Sequence, residues 1–144
     1  MLVDIVASLM QRTGGALANP RIISGGVGVA LAVMAIIAGT VGRITMGASW
    51  RTSADGAQAG VLVTTGPFAA VRHPVYASML VLALAVVFLV PNVWTAIAFV
   101  IATAGLEVQV RAVEEPRLRA RFGGAYARYA ATTGRFVPLV GQLR

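Results

Sequence analysis

The chain's only histidine stands in Arg72-His73-Pro74-Val75-Tyr76, at the head of a long uncharged run, and well downstream two adjacent acids, Glu114 and Glu115, are set among arginines. A residue before proline is held extended, and proline suits the first turn of a helix. His73 is therefore expected at a helix entrance. Arg72, His73 and the free N–H groups of that first turn make a natural anion site. Glu107, Arg111 and Glu115 are spaced four apart, so they share a helix face, and Glu107 lies on the favourable side of Arg111 for an ion pair. Ionisable groups this close to an apolar segment are functional candidates, although Glu107 and Arg111 read first as a pair that neutralises itself. Plain structural readings stay open beside these: an interfacial histidine that caps a helix, and a salt bridge at a helix end for Glu114 and Glu115. One histidine, scattered acids and no cysteine supply no metal cluster and no thiol nucleophile. There is no GxSxG elbow, and the lone Gly26-Val27-Gly28 lies inside an apolar run, where it reads as packing.

The elements that must position these groups are membrane helices. Hydrophobic residues make up 58% of the chain and charged residues 12%, with a mean hydropathy of +0.80, whereas about a quarter of an ordinary soluble domain is charged. The net charge of +7 comes entirely from arginine. Because the arginines flank apolar segments, they point to membrane orientation and anionic headgroups, not to nucleic acid. Residues 1–12 carry Leu2, Ile5, Val6, Leu9 and Met10 on one helical face and read as an interfacial helix, not a cleaved signal. Residues 22–42 are free of charge and form a first span, in which Ser24 with Gly28 and Ala35 with Gly39 would admit a close helix neighbour. A polar connection, 43–72, follows. Pro91-Asn92 then divides the next apolar stretch into a hairpin with spans at 74–90 and 93–113.

After the hairpin a new helix is expected to start with Pro116 in its first turn. It carries Leu118, Phe122, Tyr126 and Tyr129 as an apolar edge beside a strip of arginines. The fold class is thus an all-α integral membrane protein of about three spans, with an N-terminal interfacial helix and a C-terminal amphipathic cytoplasmic helix, forming one domain over 1–144. Arg43, Arg51, Arg72, Arg111, Arg117, Arg119, Arg121, Arg128, Arg135 and Arg144 fall on one side, against Arg12 and Arg21 on the other. The positive-inside rule places the larger group in the cytoplasm, with the N-terminus outside. The chemistry-bearing segments converge on that cytoplasmic rim, and the localisation expected is a bacterial inner membrane.

The ordered set Leu-Val-Thr-Thr-Gly-Pro-Phe-Ala-Ala-Val-Arg-His-Pro-Val-Tyr at 62–76, Glu-Glu-Pro-Arg-Leu at 114–118, Gly-Ala-Ser-Trp-Arg at 47–51 and the closing Arg-Phe-Val-Pro at 135–138 resembles the isoprenylcysteine carboxyl methyltransferase family and its phospholipid methyltransferase relatives. The resemblance covers about 47–138. It implies an integral membrane enzyme using S-adenosylmethionine, with Arg72, His73, Tyr76, Glu114 and Glu115 lining the cofactor pocket and the strand-like loop Leu62, Val63, Thr64, Gly66 beside it. On that reading His73 and the helix start hold the cofactor carboxylate, Glu114 or Glu115 its ammonium or ribose, and Tyr76 or Tyr126 its sulfonium. No catalytic residue is assigned, Arg72 and Glu115 being the candidates. Phe68 stands where the family commonly has tyrosine, Ser78 where glycine is common, and Pro116 interrupts the segment after the acids.

The acceptor implied is lipidic or small and hydrophobic, through a carboxylate, thiol or amine. A carboxylate or thiolate needs no base, whereas an amine would need His73 or a glutamate. Its entry is expected sideways, between the first span and the hairpin. The competing readings are a nicotinamide-dependent membrane reductase of the sterol type and a small non-catalytic membrane protein.

Overall fold

The computed structural model describes residues 19–47 and 61–142. The expected N-terminal helix and the Gly-Ala-Ser-Trp-Arg segment beyond Gly47 lie outside the described residues. Helix α1 is Pro20–Met46, started by Asn19, whose side chain accepts from the Arg21 amide, with Pro20 in the first turn. A short helix α2, Pro67–Ala70, leads into α3, Pro74–Leu89. Helix α4, Val93–Gln109, begins at a capping box in which Asn92 accepts from the Trp94 and Thr95 amides. A π-helical turn, Val110–Glu114, then runs without interruption into α5, Glu115–Thr132. Among the described residues there is no strand, only a single parallel bridge between Val71 and Gly134.

Two helices are long and apolar enough to cross a membrane: α1, and the continuous helix that opens with α4. Helix α3 is apolar but shorter, spanning ~24 Å at 1.5 Å per residue. Ile36, Ile37, Val100 and Ile101 are each more than half exposed. Such a surface would be a liability in water and is unremarkable against lipid tails.

Helices α1 and α3 pack antiparallel at very short range. A Cβ on Gly28 would lie 2.7 Å from Leu89 Cγ, one on Gly39 2.7 Å from Ser78 Oγ, and one on Gly42 3.1 Å from Val75 Cγ2. Gly28, Ala35 and Gly42, seven apart, are the buried positions of α1, and the Ser24 hydroxyl donates to the Phe88 carbonyl at 2.8 Å. The small residues read from the sequence are therefore a helix–helix seam, and the tight seam closes the sideways route expected for an acceptor between these two elements. Ser78 fits because its partner across the seam is Gly39.

The C-terminal region departs from expectation in two ways. Helix α5 carries Pro116 in its first turn as expected, but it is not a separate helix: the π turn carries the backbone from α4 through the acids into it, and proline is tolerated in that first turn. The amphipathic helix is also not straight. Arg72 contacts both Glu115 and Ala130, positions that a straight helix would hold ~22 Å apart. Gly123, at φ 51° and ψ −128°, reverses the chain between them. That region is open to glycine alone, which explains Gly123 in Phe-Gly-Gly-Ala.

Candidate functional site

The site forms where the start of α3, the π turn and the segment after α5 meet. Backbone pairing sets the register: the Arg72 amide donates to the Gly134 carbonyl at 2.8 Å and the His73 amide to the Arg135 carbonyl at 3.1 Å. The two short segments are thereby locked side by side, and Arg72 and Arg135 both enter the same interior. Each is almost fully buried, as are His73, Glu115 and Thr133.

Glu115 is the centre of an ion knot. Its Oε1 accepts from Arg72 Nη2 at 2.8 Å and from Arg135 Nε at 2.9 Å, and its Oε2 accepts from Arg135 Nη2 at 3.1 Å. Arg135 thus grips the carboxylate as a two-point fork, the geometry in which a guanidinium excels. Its third nitrogen, Nη1, donates to Glu107 Oε1 at 2.7 Å, where Arg111 Nε also donates at 2.6 Å. The Glu107–Arg111 pair follows from the spacing of four. The next rung does not form: Glu115 turns inward to Arg72 and Arg135, because the π turn resets the helix register between Arg111 and Glu115. Arg72 is otherwise spent on the chain itself, with Nη1 donating to the Ala130 and Thr133 carbonyls and Nη2 to the Gly141 carbonyl.

Burial alone would raise the Glu115 carboxyl, but its contacts with His73, Arg135 and Arg72 outweigh that and hold it well below the usual carboxylate range. Hydrogen bonding to Glu115, against the opposing effect of burial, raises Arg135 further. Glu115 and Arg135 are therefore a charged pair at neutral pH. Tyr126 lies at its edge with no exposure, and burial followed by the charge of Glu115 pushes its hydroxyl up to about 12.

In and beside this knot some polar atoms have no partner among the described residues. Among the described residues, buried His73 Nε2 has no hydrogen-bond partner, standing 3.8 Å from Glu115 Oε1, too far to bond. The imidazole does not cap α3; it lies between Tyr76 and Phe136, with ring centroids 5.9 Å and 6.1 Å away. The Tyr126 hydroxyl and Arg72 Nε are likewise buried without partners. Glu114 is half-buried, and its charge reaches the Tyr76 hydroxyl.

The residues singled out in the sequence thus divide. Arg72, Glu115 and Tyr126 form or border the knot; His73 and Tyr76 lie beside it ring to ring, and the charge of Glu114 reaches Tyr76. Leu62 and Val63 are half-buried, Thr64 is exposed, and none lies in a strand. Gly66 adopts φ 58°, a conformation that favours glycine, and lies against Thr45 at the end of α1. Arg135 was visible in the sequence only as one more orienting charge. The signal that could have found it is its place in Arg-Phe-Val-Pro, and Phe136 of the same motif supplies the second ring against His73.

The family model for isoprenylcysteine carboxyl methyltransferases matches residues 28–119, well over half of the chain. The chain belongs to the isoprenylcysteine carboxyl methyltransferase family. This is a family of membrane methyltransferases whose members use S-adenosylmethionine as methyl donor. Comparison with curated proteins and with solved structures gives no match. The matched region begins further back than the motifs implied, taking in most of the α1 seam, and contains Arg72, His73, Tyr76, Glu114 and Glu115. It stops short of Tyr126 and of Arg135, whose connection to the family region is made by the ion knot.

Proposed function

We propose that this methyltransferase-family chain binds S-adenosylmethionine beside the ion knot, against His73 and Tyr76, and methylates a lipidic or small hydrophobic acceptor at the cytoplasmic face of an inner membrane. The observation that carries this reading is the contrast at the site. The carboxylates of a buried knot are held by arginines of the chain itself, while among the described residues a buried histidine nitrogen beside two aromatic rings is left without a partner. Buried polar atoms are rarely left unbonded without a purpose.

The donor set fits the cofactor. His73 with the first-turn amides of α3 would hold its carboxylate, Glu114 its ammonium or a ribose hydroxyl, and the Tyr76 ring its sulfonium. The cofactor, when bound, supplies an activated methyl group. The work of the chain is placement: the fork of Arg135 on Glu115 and the four-way hold on Arg72 fix the start of α3 against the π turn, so that His73 and Glu114 keep their spacing. Arg72 and Glu115 are thereby positioning residues. In this reading all of 1–144 acts as one unit with three spans, α3 being the third. A cysteine placed at Ser53 or Ala127 then resists an impermeant thiol reagent in intact cells, while one at Thr13 reacts.

The test is calorimetric titration of the folded, detergent-solubilised protein with S-adenosylmethionine and its demethylated product, followed by methyl-labelled transfer into a total lipid extract. His73→Ala should weaken cofactor affinity by on the order of tenfold or more with little change in melting. No heat and no thermal stabilisation at millimolar cofactor would refute the reading.

A further inference from the structure

We infer that the turn at residues 137–140, Val-Pro-Leu-Val, seats its apolar side chains in the lipid boundary of the bilayer that α1 is long enough to cross, and so holds the ion knot at headgroup depth. The inference concerns a different surface from the cofactor site and does not depend on whether S-adenosylmethionine binds. The turn is closed on itself: the Arg135 amide donates to the Val140 carbonyl at 2.8 Å, and the Val140 amide to the Val137 carbonyl at 3.1 Å. Just beyond it the Gly141 carbonyl accepts from Arg72 Nη2 at 2.9 Å, which ties the turn to the knot. Its backbone lies on Gly134, where a Cβ would collide with the Val137 carbonyl oxygen and meet the Leu139 and Val140 amide nitrogens at 2.8 and 3.0 Å. With the backbone turned inward, the side chains are displayed: Val137 is 55% exposed, Leu139 77% and Val140 61%.

Leu139 carries a second, independent sign. At φ 65° it is the only non-glycine residue in the left-handed region among the described residues, and glycine would relieve that strain. A leucine held there with its side chain exposed is placed for a contact outside the chain. Register decides what that contact is. Arg43 ends the uncharged run of α1, and one residue before it Gly42 packs against Pro74 and Val75 at the start of α3. The bilayer boundary therefore passes at this level. Arg72 and His73, directly before Pro74, pair through their amides with the Gly134 and Arg135 carbonyls, so the turn departs from that same level. Two residues from Arg135 to Val137 reach ~7 Å, within the ~5–10 Å over which interfacial apolar faces are buried. Lipid is thus the occupant at hand, and entering its acyl boundary removes all three side chains from water.

The chain has no cysteine, so one introduced thiol carries a single label. Leu139→Cys and Val137→Cys, each labelled with nitrobenzoxadiazole, are compared with Arg128→Cys at an exposed position of α5, in nanodiscs of phosphatidylcholine and phosphatidylglycerol. Labels at 139 and 137 should emit further to the blue than the label at 128. They should be quenched by phosphatidylcholine bearing a nitroxide near the carbonyl end of its acyl chain, and several-fold less than the label at 128 by aqueous acrylamide. Equal acrylamide quenching at all three positions overturns the inference. So does protection from acrylamide without quenching by the nitroxide lipid, which would assign the turn to a protein partner or a second copy of the chain. The unsubstituted protein decides the case if the cysteine variants do not fold. In nanodiscs containing phosphatidylcholine with a photoactivatable diazirine at the same acyl position, mass spectrometry should find lipid adducts on residues 137–140. Adducts confined to the membrane helices would overturn the inference.

Discussion

Replacing Arg135 with methionine keeps most of the side chain's length and removes its charge, and the geometry states what is lost. Two bonds to Glu115, at 2.9 and 3.1 Å, and one to Glu107 at 2.7 Å disappear. Glu107 keeps Arg111 and is partly solvated, so its loss is small. Glu115, with 6% of its side chain exposed, keeps Arg72 at 2.8 Å but loses the partner of its second oxygen. Removing one member of a buried ion pair costs about 3 to 5 kcal/mol when the remaining charge is stranded. With Arg72 still in place the low end applies, about 3 kcal/mol, or roughly a hundredfold in the folding equilibrium. Arg135→Lys keeps the charge without the fork and should cost about half as much. Arg111→Gln, at an exposed pair, should cost less than about 0.5 kcal/mol.

The assay is reversible unfolding in mixed detergent micelles followed by tryptophan fluorescence, with a double-mutant cycle on Arg135→Met and Glu115→Gln. The double variant should be less destabilised than the two singles together by more than about 1 kcal/mol. An Arg135→Met protein as stable as wild type, or strictly additive variants, would refute the knot as the element that holds the site together.

Gly123→Ala should cost about 1 to 3 kcal/mol, since the reversal at φ 51° and ψ −128° is closed to a side chain; unchanged melting would argue against a folded-back α5. Gly39→Ala should destabilise the seam by about 1 to 3 kcal/mol, and Ser78→Gly should rescue it, because Ser78 Oγ is the atom met at 2.7 Å; a failed rescue would place the clash elsewhere. Gly134→Ala should loosen the C-terminal segment and the knot together, because a Cβ there would run into the Val137 carbonyl oxygen; limited proteolysis near 134–142 should accelerate, and unchanged cleavage would count against this packing of the C-terminal segment. Stability should also depend on acid in a particular window. The Glu115 carboxyl is depressed from an ordinary value of 4.5, so its contribution is fully present above that value and is lost as pH falls below it toward the folded one. Melting should be flat from about pH 8 to 5.5 and fall below about 4.5, with a shallower fall in Glu115→Gln; a drop centred near neutrality would assign the dependence to another group.

The helices themselves were legible from composition and punctuation. Long uncharged runs, Asn19-Pro20 and Pro91-Asn92 specify where α1, α3 and α4 begin, because capping and proline geometry act within a few residues. The Glu107–Arg111 pair was legible for the same reason, since a spacing of four brings the two together on any helix. What the sequence could not show depends on where distant segments meet. The partner of Glu115 is Arg135, twenty positions away in the chain, and the contact exists only because Gly123 turns α5 back and the Val71–Gly134 bridge sets the register. The π turn likewise moved Glu115 off the face that regular α spacing assigns to it. Local rules of helix formation therefore determined the elements and the motif residues. The allocation of charges within the site, with Arg72 and Arg135 consumed and His73 left open, was decided by tertiary packing, because a buried charge takes the partner that the fold brings within hydrogen-bond reach.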